Sequence, residues 1–198
     1  MLELITGVTL AAAAGLNAYI PLLGLGLLSR FTDIMELPTG WLWLEHDWAL
    51  WTVGALLALE ILVDKVPALD SVNDVVQTVV RPASGGMVFA AGSASSTVAV
   101  EDPSALISSA QFWPFMLGIV IALIPHVLKA VARPILNVLT AGAGAVVVSA
   151  FEDLGAALLT VLAVIVPVIA LLLLILVVVL LVRRLRRALA ERRAQQLS

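Results

Sequence analysis

Polar residues along this chain come in short groups separated by apolar stretches, at about 2–28, 49–63, 83–100, 112–125, 135–151 and 154–182. The groups between them read FTDIMELPTGWLWLEHDW, DKVPALDSVNDVVQTVVRP, EDPSALISSAQ, HVLKAVARP and FED. The last stretch, Leu154 to Val182, runs 29 residues without a charge. As a helix it extends roughly 43 Å, against about 30 Å for the hydrocarbon core of a bilayer. It ends in RRLRRALAERR, an amphipathic basic segment suited to anionic headgroups. The pattern predicts an all-α polytopic membrane bundle of about six spans. Stretches 83–100 and 135–151 are short and rich in Gly, Ala, Ser, Thr and Val. That composition suits close helix contact, or re-entrant or broken helices, better than exposure to lipid.

Composition strengthens the membrane expectation. Hydrophobic residues make up 62% of the 198 and charged residues 13%, with a mean hydropathy of +1.10. Soluble domains carry roughly 45–50% apolar residues and have too little interior to hide such an excess. The chain has no cysteine, which removes disulfides and thiolate chemistry, and its two histidines make a histidine zinc cluster an unlikely use. No cofactor is implied. Residues 1–182 carry thirteen acids and five bases, whereas residues 183–198 carry six arginines and one glutamate. Because that basic end abuts an apolar run, it points to membrane lipids as its partner and away from nucleic acid.

The division expected is a single transmembrane domain over 1–182 and a basic cytoplasmic tail over 183–198. Glu3 stands where a secretory signal would carry basic residues, so the first apolar stretch is expected to be a span. Trp41, Trp43, Trp48 and Trp51 gather in one linker, as at a headgroup interface or in a small folded loop. With six spans, Lys65, Arg81, Lys129, Arg133 and the tail arginines share one side and Arg30 alone the other. The positive-inside rule then places both termini in the cytoplasm, with the Glu101-Asp102 and Glu152-Asp153 pairs outside. An internal repeat is also suggested, over about 49–102 and 112–153. Arg81-Pro82 matches Arg133-Pro134, and each is followed by a small-residue stretch and a Glu-Asp pair. Each Arg-Pro is expected to start a helix, where the missing proline N–H costs nothing. Gly85, Gly86, Gly92, Gly142 and Gly144 suit tight packing or contact with a ligand.

Ionisable groups within a membrane protein are functional candidates by default. Glu60 and Asp64 lie four apart, with Lys65 adjacent. Asp70 and Asp74 are also four apart, and Arg81 continues that helical surface. His126, Lys129 and Arg133 repeat the spacing further on. These groups suit either register-fixing ion pairs or a pathway. In a pathway Glu60 and His126 would respond to protons, and Lys129, Arg81 and Arg133 would hold an anionic headgroup or solute. Asn17 and Tyr19 interrupt the first stretch ahead of Pro21, predicting a kinked or broken helix with a polar group at the break.

The run GLNAYIPLL at 15–23 and DKVPALDSVNDVVQTVVRPASGG at 64–86 resemble a family of bacterial membrane proteins known as domain of unknown function 4126. HVLKAVARP at 126–134, Ser149 ahead of Phe151-Glu152-Asp153, and the long final span with its basic tail are similar to it too. The resemblance covers nearly the whole chain and implies a multi-pass protein of the bacterial cytoplasmic membrane. It implies no catalytic or binding residue. Three functions are therefore expected: passage of a small anionic or lipid-derived solute, a non-catalytic scaffold that pairs with itself or a partner, or a Mg-dependent enzyme acting on a lipid phosphate. The last would use Asp64, Asp70 and Asp74.

Overall fold

The computed structural model describes residues 1–93, 112–140 and 143–196. These residues form helices and no strand. The helices are α1 (Leu2–Leu16), α2 (Tyr19–Phe31), a 3-10 helix (Thr39–Glu45), α3 (Asp47–Val63), α4 (Pro67–Gly92), α5 (Phe112–Thr140), α6 (Ala143–Ile165) and α7 (Pro167–Gln196). The apolar runs Phe112–Ala132 and Val146–Ile165 are long enough to cross a membrane. The 3-10 helix and α3, bent by 65°, make a third candidate if taken together. Among the described residues, then, length and composition support two or three spans, and the expected six are not confirmed.

Several charged groups are not linkers. HVLKAVARP lies inside α5 and FED inside α6, so the expected segments 112–125, 135–151 and 154–182 become a different set of helices. Pro82 lies within α4 and Pro134 within α5, so neither Arg-Pro begins a helix. The oily run 154–182 is interrupted at Val166, ahead of Pro167. Proline has no N–H for the carbonyl four residues back, Ala163. The Thr6 hydroxyl donates to that carbonyl at 3.0 Å and replaces the missing bond. In the first proposed repeat unit a helix break precedes Arg81-Pro82, between Val63 and Pro67. The first unit's Glu101-Asp102 and residues 94–100 lie outside the described residues.

The first apolar stretch is not a single span, because the chain reverses at Asn17-Ala18. Helix α1 runs antiparallel to α6, with Thr6 on Ala163 and Leu16 on Gly155. Helix α2 runs parallel to α6, with Asn17 on Asp153 and Gly24 against Thr160. Leu2 and Ile34 accordingly line one cavity of about 330 Å³. A straight helix over the same residues would hold them roughly 48 Å apart.

Helix α1 is the centre of the bundle, with Thr6, Gly7 and all residues from Thr9 to Gly15 buried. Small residues make this possible. Gly7 faces the Phe89 carbonyl, and a Cβ on Gly15 would overlap the Ala122 carbonyl. At the α4–α5 crossing Gly85 and Gly118 meet backbone to backbone, and Gly86 meets Phe115. These glycines, with Gly92 against Leu10, serve packing. The tryptophan linker divides. Trp41 and Trp43 pack on a core that includes Leu37 and Leu44, while Trp48 and Trp51 are exposed. Trp43 stacks on Trp48 at 5.9 Å, and Arg30 ties the end of α2 to Asp47 and the Glu45 carbonyl.

Candidate functional site

Helices α4, α5 and α6 turn their polar faces inward. On α4, Asn73, Asp74, Gln77, Arg81 and Ser84 share the inner side, whereas Leu69, Val72, Val75, Val76 and Val79 are exposed. On α5, Gly118, Ala122, His126 and Lys129 are buried, and Leu117, Val120, Ile124, Val127 and Val131 face outward. On α6, Ser149 and Thr160 are buried, and Phe151, Leu154 and Leu158 are exposed. A helix in water places these classes the other way round. The arrangement is that of a membrane-embedded protein, in which outward apolar faces need no partner and inward polar groups must satisfy one another.

Asp64 is the hub of those inward groups. It terminates α3, where its N–H closes the last turn onto Glu60. Asn73 Nδ2 donates to Asp64 Oδ1 at 2.8 Å, and Lys129 Nζ lies 3.1 Å from Oδ2. Ser149 Oγ donates to the same Oδ2 at 3.5 Å. Lys129 also pairs with Glu152 at 2.8 Å. Arg81 Nη2 donates to Glu60 Oε1 at 2.9 Å and stands 3.9 Å from Asp64 Oδ2. Glu60 is 2% exposed, Asp64 2%, Arg81 0% and Lys129 4%. Desolvation on this scale makes each partner indispensable to the others, because removing one strands a buried charge.

A second arm runs through the chain reversal. Asn17 Oδ1 accepts from the N–H groups of Tyr19 and Ile20, at 3.0 and 3.1 Å, and so caps α2. Its Nδ2 donates to Asp153 Oδ1 at 2.9 Å. The Ser84 hydroxyl donates to the Ala18 carbonyl, fastening the same turn to α4. Tyr19, at the start of α2, lies near Gln77, Glu60 and Arg81. His126 Nε2 lies 3.1 Å from Thr78 Oγ1. Among the described residues Glu60 Oε2, Gln77 Oε1, Arg81 Nε and Nη1, and His126 Nδ1 are buried without a hydrogen-bond partner.

Of the residues singled out in the sequence, Asn17, Tyr19, Glu60, Asp64, Asp74, Arg81, His126 and Lys129 converge here. Lys65 does not; it is exposed and bonds the Ile61 carbonyl of its own helix at 3.1 Å. Asp70 and Arg133 sit on α4 and α5 with side chains outside the described residues. Glu152 and Asp153 were expected in an outer loop and instead face Lys129 and Asn17. The hint lay in their surroundings, an apolar run with no turn residue just before FED. Asn73, Ser84 and Ser149 are the other additions, and Ser84 could be found three residues beyond Arg81 on the same helical face. Arg81 and Lys129, expected to hold an anion, are engaged by carboxylates. Asp64 spends both oxygens on Asn73, Lys129 and Ser149. Among the described residues no three acidic or histidine side chains converge to hold a metal.

No curated protein and no solved structure matches this chain. The family model described as Domain of unknown function (DUF4126) matches residues 4–187, nearly the full length, and the chain belongs to that family.

Proposed function

We propose that this chain is a multi-pass membrane protein that passes a small solute through its bundle, with the Asn17-to-Glu60 network as the polar step of the path. One observation carries the proposal. A chain reversal buried inside the bundle brings a helix start, an amide and a set of paired charges to one place, as midplane solute sites do. The charge of the network bears on the solute. Its two bases are already neutralised, so an anion would have to displace carboxylates, and a neutral or cationic solute fits better. Osmotic swelling of proteoliposomes tests this with small polyols and alkali salts as probes. Faster swelling than in empty vesicles, lost in Lys129→Met, supports passage. Rates equal to empty vesicles for every probe contradict it.

The α1–α2 reversal also bears on topology. In this reading the α1–α2 pair makes no full crossing and α3 to α7 make one each, which puts the termini on opposite faces of the bacterial cytoplasmic membrane. The tail arginines and Lys65 favour a cytoplasmic C-terminus, beside anionic headgroups, and the position of Arg30 favours the other face for its end of α2. Protease protection of terminal tags in sealed vesicles checks it. Protection of both tags on one side refutes it.

A scaffold role is the second reading. It is favoured by the density of the network and by α7, which presents apolar side chains on all sides from Ile175 to Leu180. Such a helix suits lipid or a second copy of the chain. Crosslinking in native membranes that yields a defined homo-oligomer, together with no flux, favours this reading over passage.

A further inference from the structure

The described side chains of the network include the acids Glu60, Asp64, Asp74, Glu152 and Asp153 and the bases Arg81 and Lys129. A buried carboxylate in a medium of low dielectric constant is expensive, and its charge is relieved by a base, by a bound cation or by a proton. A metal cation needs several oxygens converging on one point. Glu60, Asp64, Glu152 and Asp153 are instead spread along the Arg81–Asp64–Lys129–Glu152 chain, each turned to a base or an amide.

Glu60 is the place where a proton resolves the geometry. Its Oε1 accepts from Arg81 at 2.9 Å. Its Oε2 is buried and has no donor. The charged and titratable groups around it are Tyr19 from α2, Arg81 from α4, Asp64 at the end of α3 and Lys129 from α5. A bare carboxylate oxygen can only accept a hydrogen bond, whereas a hydroxyl formed on Oε2 can also donate one. We propose that Glu60 is a proton-binding site, holding an exchangeable proton on Oε2, and that this proton is the ion to which passage through the bundle is coupled. The step forms the Oε2–H bond with a proton given up by a hydronium ion, which leaves as water, and cancels one negative charge of the network. Arg81 remains on Oε1 in both states and keeps the carboxyl in place.

The coupling rests on the passage reading above, but the proton itself does not, and infrared spectroscopy separates the two. Protein in lipid nanodiscs is compared at mildly acidic and mildly basic pH. The expected difference spectrum shows the carbonyl stretch of a protonated carboxylic acid, which shifts in heavy water. That band disappears in Glu60→Gln, and its frequency moves in Tyr19→Phe, a milder change that keeps the Arg81 pair. Absence of the band from the wild type across the pH range overturns the proposal, as does a band unaffected by both substitutions. Solute flux with no such band leaves passage standing and removes the proton. A band with no flux in the swelling assay removes the passage reading and the coupling with it, while Glu60 remains a proton site.

Discussion

The crossing of α4, α5 and α6 and the final helix α7 are both apolar in bulk, yet they use that apolarity in opposite ways. At the crossing, valines and leucines face outward and enclose charged groups, with Arg81 at 0% exposure and Glu60 at 2%. In α7 the apolar residues from Ile175 to Leu180 cover the helix all round, and the arginines are gathered in its last turns, from Arg183 onward. Charge in the first region is therefore held by specific partners, whereas the outward apolar side chains of the second need none. Energetically, the first region should be sensitive to single atoms and the second almost indifferent.

The largest effect is expected at the centre of the network. Arg81→Ala strands Glu60 and should cost about 3–5 kcal/mol, seen as loss of the folded fraction in detergent. Arg184→Ala in the tail should leave thermal stability unchanged, and an equal loss at both sites would erase the contrast. Next comes Gly118→Val, which drives a branched side chain into the Gly85 carbonyl and the Phe89 side chain. Overpacking of this kind costs roughly 1–3 kcal/mol or more, measurable by thermal unfolding in nanodiscs. Asn17→Ala removes the α2 cap and the partner of Asp153, for a loss of about 1–2 kcal/mol in the same measurement. Thr6→Val leaves the Ala163 carbonyl bare at the Pro167 break and should cost about 0.6 kcal/mol, a typical membrane hydrogen bond. Smallest of all, Leu176→Ala on the exposed face of α7 should change stability by less than about 0.5 kcal/mol.

The same contrast explains what could be read from the sequence. The helical class, the membrane solvent and the basic end follow from composition and from runs such as Leu171 to Val182, where hydropathy and structure coincide. The site was legible residue by residue, because Glu60 with Asp64 and His126 with Lys129 announce themselves by helical spacing in apolar surroundings. The layout around it was not. A hydropathy pattern treats a charged group as a boundary, so HVLKAVARP and FED read as linkers although they are mid-helix. Only the partners, drawn from segments far apart in sequence, make those charges affordable inside the bundle. Asn17 signals a break, and its side chain is a helix cap, but the direction of the next helix depends on α6. Glu152 and Asp153 went unrecognised for the same reason. Their value lies in Lys129 and Asn17, which no local spacing connects to them.

The central claim is that these charges pair with one another inside the bundle, and a charge exchange at Lys129 and Glu152 tests it most directly. Thermal unfolding is measured for Lys129→Glu, Glu152→Lys and the two together. Each single change places like charges side by side and should unfold the protein, or lower its melting temperature sharply. The double exchange should recover a substantial part of the loss, the remainder reflecting the contact of Lys129 with Asp64. Single variants as stable as the wild type, or a double variant no better than the sum of the two, would contradict the account.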